Sequence, residues 1–113
     1  MLNLDTHILI DALNGTLSKR EHRLLSEDSW SISSIVLWEL AKLNQLGRIS
    51  LDLDSPEFTC ALGRIRVWPV DLAVSLQSTR LDFASDPADE LIAATSVIHR
   101  VPLLTRDRRI LKS

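Results

Sequence analysis

Cysteine is nearly missing from this chain: Cys60 is alone among 113 residues. That excludes intramolecular disulfides and thiolate zinc cages. Its neighbours Ala61 and Leu62 predict a small, buried side chain there. Long apolar runs are missing too, and none approaches the roughly 18 residues a membrane span requires. Met1 leads straight into Leu2-Asn3-Leu4-Asp5, without the basic segment and apolar stretch of a secretory signal. The expectation is a protein neither secreted nor membrane-spanning. The sequence carries no GxGxxG, P-loop, HExxH or GxSxG pattern, so those dinucleotide, nucleotide, zinc and acyl-transfer chemistries have no support. His7, His22 and His99 are scattered without ligand spacing, which also argues against zinc. Aromatic residues make up only 4% of the chain, and Trp30, Trp38 and Trp68 lie far apart, a distribution that suits core packing better than a base-stacking platform. An excess of positive charge is lacking as well. The formal net charge of −2 is unusual for a nucleic-acid binder, yet a single bound divalent cation would cancel it. Net charge therefore does not decide the partner.

What is present is a 45% hydrophobic, 25% charged composition of the length of one globular domain. Short apolar runs alternate with amphipathic stretches, the pattern of an α/β fold with a mainly parallel sheet covered on both faces. Leu2 to Leu4 reads as a strand and Thr6 to Leu13 as a helix stopped by Asn14-Gly15. Ser18 to Leu25 reads as a second helix, with Glu21 completing a capping box on Ser18. Trp30 to Ser33 alternates like a strand, and a helix runs from Ser34 to near Gly47. Pro56 to Leu62 forms a helix capped by Ser55. Arg66 to Val70 is a strand that Pro69 confines to an edge or to its end. Asp71 caps a helix reaching about Arg80, and Asp86-Pro87 opens another towards His99. Leu103 to Thr105 reads as a last buried strand, and Asp107 to Leu111 as a final short helix.

Four acids recur at strand ends or on inward helix faces. Asp5 and Asp107 each follow a short apolar strand, where ligands of open parallel sheets bind. Each also suits a helix cap. Glu39 sits among Ile35, Val36 and Leu43, with a surface pair to Lys42 as the alternative. Asp89 shares a helix face with Ile92, Ala93 and Ser96, while Asp86 and Glu90 suit capping and the helix dipole. If Asp5, Glu39, Asp89 and Asp107 converge, a pair about 4 Å apart repels by on the order of 4 kcal/mol at an effective dielectric near 20. Such a cluster raises pKa values or recruits a hard cation such as Mg²⁺ or Mn²⁺, which suits phosphodiester hydrolysis. Arg100, Arg106, Arg108, Arg109 and Lys112 crowd the C-terminal end, with Lys19, Arg20 and Arg23 a smaller cluster. They form either a solvated face or a phosphate track, and Arg106, Arg108 and Arg109 are the candidates for phosphate contact.

Leu4-Asp5-Thr6-His7 resembles the opening of PIN-domain nucleases, particularly VapC-type toxins of prokaryotic toxin–antitoxin pairs. The resemblance continues through Ser31-Ile32-Ser33, Leu37-Trp38-Glu39-Leu40 and Leu46-Gly47-Arg48-Ile49. It resumes at Asp86-Pro87-Ala88-Asp89 with Leu91-Ile92-Ala93-Ala94, and closes at Pro102-Leu103-Leu104-Thr105-Arg106-Asp107. The resemblance implies one PIN-like domain over residues 1–113, a three-layer α/β/α sandwich around a short, mainly parallel sheet. It implies Asp5 as a principal Mg²⁺ ligand (Mn²⁺ serving as well), with Glu39, Asp89 and Asp107 completing the site. Thr6 and Thr105 become hydroxyl neighbours that orient carboxylates or water. The implied activity is cleavage of single-stranded RNA in a prokaryotic cytoplasm, with a VapB-like antitoxin as partner and a homodimer as assembly. The resemblance departs at two points: the family usually carries Arg immediately after the third acid, where this chain has Glu90, and many members carry a closing strand that is expected to be missing here. Two other readings stay open: a PIN nuclease of RNA processing, and a PIN-like interaction domain with weak catalysis. An aspartate-based phosphatase is disfavoured, because Asp5-Thr6-His7 lacks the second acid two residues after the first.

Overall fold

Two leucines flanking an asparagine make the first strand, β1 (Leu2–Leu4), in a computed structural model that describes residues 1–106. The chain continues through α1 (Thr6–Asn14), α2 (Lys19–Ser26), β2 (Trp30–Ser33), α3 (Ser34–Gln45), α4 (Pro56–Leu62), β3 (Arg66–Trp68), α5 (Leu72–Ser78), α6 (Pro87–His99) and β4 (Leu103–Leu104). Local chemistry explains most of these bounds. Gly15 takes the left-handed conformation at φ 71 that ends α1, as Asn14-Gly15 predicts. The capping box of α2 is formed in both directions between Ser18 and Glu21. Pro56 and Pro87 stand in the first turns of α4 and α6, where their missing N–H costs nothing.

The four strands are ordered β3-β2-β1-β4, and every neighbouring pair is parallel. Successive side chains of a strand point to opposite faces of the sheet. In β1 both Asn3 and Leu4 are fully buried, and in β2 Ser31, Ile32 and Ser33 are too. Both faces of the sheet are therefore covered, as expected. Leu4 and Ile32 join Ile8, Leu9, Val36, Leu40 and Ile92 in the core. No helix among the described residues is long and apolar enough to cross a membrane.

Several expectations need correction. Cys60 is exposed, because the seven-residue α4 lays other side chains, Phe58 and Leu62, against the core. Trp38 is 58% exposed rather than packed inside, since Val36 and Leu40 carry the buried face of α3. Helix α5 ends at Ser78, short of Arg80. Hydroxyls of Ser75, Ser78 and Thr79 donate to the carbonyls of Asp71, Ser75 and Leu76, a local competition that favours helix ends. Strand β3 stops before Pro69, and β4 is a half-buried edge of two residues rather than a buried strand. The helix expected from Asp107 to Leu111 lies outside the described residues.

Candidate active site

The chain builds β1, β2 and β3 outward in one direction, then places β4 on the other side of β1. The carboxyl ends of β1 and β4 thus form the switch point at which open parallel sheets bind ligands. Asp5 leaves the end of β1, only 6% exposed. Its backbone N–H continues the ladder to Leu104 O at 3.1 Å, and its side chain turns between two donors. The Thr105 hydroxyl donates to Oδ2 at 2.6 Å, and the His7 amide donates to Oδ1 at a longer 3.4 Å. Asp5 therefore caps α1 weakly and meets Thr105 strongly, so the cap does not exhaust its role.

Glu39 projects from α3 and is half-buried. Thr6, in the first turn of α1, donates its hydroxyl to Glu39 Oε1. The alternative partner, Lys42, instead donates to Gln45 Oε1 at 3.0 Å. Burial pushes the Glu39 carboxyl above the usual carboxylate range, the Thr6 hydrogen bond works against it, and the negative fields of Asp89 and Asp5 push it further up. Those two fields place Asp5, Glu39 and Asp89 in one electrostatic neighbourhood. Asp89 lies in the first turn of α6, where its Oδ2 accepts the Ser85 hydroxyl at 3.1 Å. Among the described residues, no three carboxylate, histidine or cysteine side chains stand ready-grouped around one metal position. Each of the three acids is instead directed at its own hydroxyl. Asp107, Arg108 and Arg109 lie outside the described residues.

The capping assignments at α6 divide. Glu90 Oε2 accepts the Ser85 amide at 3.4 Å, whereas Asp86 occupies the cap position without a side-chain hydrogen bond. Arg106, a candidate for RNA contact, has its guanidinium engaged by two acids. Nε and Nη2 donate to the two oxygens of Glu21 at 2.7 and 2.6 Å, and Nη1 donates to Asp11 Oδ2. Arg106 holds the Glu21 carboxyl down at about 2.

Sequence reasoning missed Asn3. Its Nδ2 donates to Ile92 O at 3.3 Å and to Ser96 Oγ at 2.8 Å, while its Oδ1 accepts the Ser31 hydroxyl at 3.3 Å. This buried network fastens α6, and with it Asp89, to the strand that leads into Asp5. The signal was available: an amide between two leucines in a strand buried on both faces requires partners.

Residues 3–112 match the family model of the PIN domain. Among curated proteins, none matches the sequence. Among solved structures, the chain is similar to a toxin–antitoxin complex from Klebsiella pneumoniae, with TM-score 0.75 and 21% identity over 98% of this chain and 90% of that one. It is also similar to FitAcB from Neisseria gonorrhoeae, with TM-score 0.70 and 23% identity over 99% and 91% of the two chains. VapBC2 from Rickettsia felis, bound to a DNA fragment from its promoter, gives TM-score 0.69 and 21% identity over 99% and 92%.

Proposed function

This chain belongs to the PIN domain family, and from that premise we propose that it is a divalent-cation-dependent endoribonuclease, the toxin of a VapBC-type pair. The observation that supports the reading is Asp5, almost fully buried at the switch point, with Glu39 raised first by burial and then by the fields of Asp89 and Asp5. The toxin–antitoxin names of the similar structures support a VapB-like antitoxin as partner. An RNA substrate, a homodimeric assembly and a prokaryotic cytoplasmic setting complete the proposal.

The donor set fits Mg²⁺ or Mn²⁺, since it offers carboxylate oxygens and no thiolate or paired imidazole. Asp5, Glu39 and Asp89 would hold the ion, joined by Asp107. When bound, such a cation polarises a phosphodiester and the water that attacks it. The chain's own groups supply orientation. Thr105 holds one oxygen of Asp5, Thr6 holds one of Glu39, and Ser85 holds one of Asp89. Arg108 and Arg109 are the proposed phosphate contacts. One observation favours a second reading, an interaction domain with weak catalysis: Glu90 directly follows Asp89 and adds negative charge beside it.

Purified protein incubated with RNA and Mg²⁺, with and without chelator, tests the proposal. Cleavage is expected only with the cation, and Asp5→Asn is expected to abolish it while the variant remains folded. Mn²⁺ should raise the melting temperature of the wild type and leave Asp5→Asn unmoved, because the amide lacks the charge that holds the ion. Undiminished cleavage by folded Asp5→Asn would overturn the site assignment. A VapB-like antitoxin encoded beside this chain should inhibit cleavage; a fully active complex would reject the toxin reading.

A further inference from the structure

Strand β4 has only two residues in its ladder with β1, Leu103 and Leu104, and among the described residues it is the edge of the sheet. So short an edge ladder leaves its end weakly held. Yet the next residue, Thr105, makes a 2.6 Å hydrogen bond to Asp5. Arg106 comes directly after Thr105, and its guanidinium is gripped by helices from the other end of the chain. Both oxygens of Glu21 on α2 face it in a two-pronged arrangement, and Asp11 on α1 takes a third nitrogen. The acids are themselves preset. Glu21 Oε1 also accepts the Ser18 amide at 3.0 Å in the capping box, and Asp11 Oδ1 accepts the Thr16 hydroxyl at 2.9 Å.

From this geometry we infer that Arg106 is a positioning residue, clamped between Glu21 and Asp11 so that the end of β4 keeps Thr105 on Asp5. An isolated exposed ion pair contributes little, but a bidentate guanidinium shared by two restrained carboxylates is the exception. The same contacts argue against Arg106 as a phosphate contact. An RNA phosphate would have to displace two carboxylates that already outnumber the single positive charge. Lysine offers a point charge without the fork, so it cannot reproduce the arrangement.

The catalytic consequence of the clamp rests on the nuclease reading; its positional half does not. Amide exchange is measured first, on full-length protein without metal or RNA, at the Asp5 N–H that donates to Leu104 O. Arg106→Ala and Glu21→Gln should each speed exchange there by roughly tenfold, and Arg106→Lys should resemble Arg106→Ala. Steady-state cleavage in Mg²⁺ is measured second. A positioning role lowers kcat with KM nearly unchanged in both Arg106→Ala and Glu21→Gln. A phosphate-contact role raises KM in Arg106→Ala and lowers it in Glu21→Gln, which frees the guanidinium. That opposite response would overturn the inference, as would wild-type exchange in Glu21→Gln or full rescue by Arg106→Lys. If the wild type cleaves no RNA, the nuclease reading fails while exchange still decides the clamp.

Discussion

Replacing Asn3 by alanine removes three hydrogen bonds from a side chain with no solvent exposure. A buried neutral hydrogen bond contributes about 1 kcal/mol net, and the Ser31 hydroxyl shares its one proton between Asn3 Oδ1 and Leu2 O, so the three contacts together contribute about 2–3 kcal/mol. The stranded partners add little. Ser31 Oγ keeps its 3.2 Å contact to Leu2 O, and Ser96 is only half-buried and can turn to water. Losing the carboxamide volume adds a small cavity cost, and the expected total is about 3 kcal/mol. For a domain of this size that lowers the melting temperature by roughly 12 °C or more. Urea titration should show a lower midpoint with the same slope, which marks lost stability rather than a changed unfolded state. Asn3→Asp keeps the volume but aims a carboxylate at the Ile92 carbonyl, so it should destabilise at least as much near neutral pH. In both variants α6 loses its tie to β1, and cleavage should fall together with stability. A loss below about 1 kcal/mol in both variants would show that apolar packing alone holds α6, refuting the reasoning.

Two acids should give stability opposite dependences on pH. Glu21, held at about 2 by Arg106 against an ordinary 4.5, stabilises fully above 4.5 and loses that contribution as pH falls towards 2; Arg106→Ala should flatten this acid limb of the melting curve. Glu39 lies above the ordinary 4.5, so it weakens the fold once ionised; Glu39→Gln in chelator should raise the melting temperature near neutral pH and leave it unchanged well below 4.5, and a lower value near neutrality would contradict the shift. Arg108→Ala combined with Arg109→Ala should weaken RNA binding, measured with Asp5→Asn protein, and make the logarithmic salt dependence shallower by about 1; an unchanged slope would remove both residues from the RNA path. Trp38→Ala, at a position 58% exposed, should change stability by no more than about 0.5 kcal/mol in urea titration, and a loss of about 2 kcal/mol would mean that the indole packs.

Elements governed by neighbouring residues were legible in the sequence. The Ser18–Glu21 capping box, the Asn14-Gly15 stop and the prolines at 56 and 87 all act within one helical turn, and the bounds they predict agree with the structure. Which way a short helix faces is not a local matter. Ala61 and Leu62 beside Cys60 say that α4 packs somewhere, but the direction is set by elements far away in sequence, and Cys60 ends outside. Trp38 obeys the same rule, since apolar residues surround α3 on more sides than the core can cover. The settings of Asp5, Glu39 and Asp89, an acid just past a strand or on a helix face turned towards the core, follow from the order of elements, so these three candidates could be named from sequence. Arg106 could not be placed in the same way. Its partners lie 85 and 95 positions earlier, and a cluster of basic residues looks alike whether it meets solvent, RNA or two carboxylates.

The position of β1 sets a timetable for the molecule's birth. Strand β1 is an interior one, and the neighbour on one side of it, β4, is the last strand described. Asp5 waits 100 residues for Thr105. At a synthesis rate of about 5–20 residues per second, that wait lasts roughly 5–20 s. Throughout it one side of β1 offers unpaired backbone groups to any passing chain, a hazard that favours prompt protection on the ribosome. The same delay acts as a safeguard. Whatever chemistry the site performs, a nascent chain cannot perform it with Thr105 seated on Asp5 until Thr105 has itself emerged.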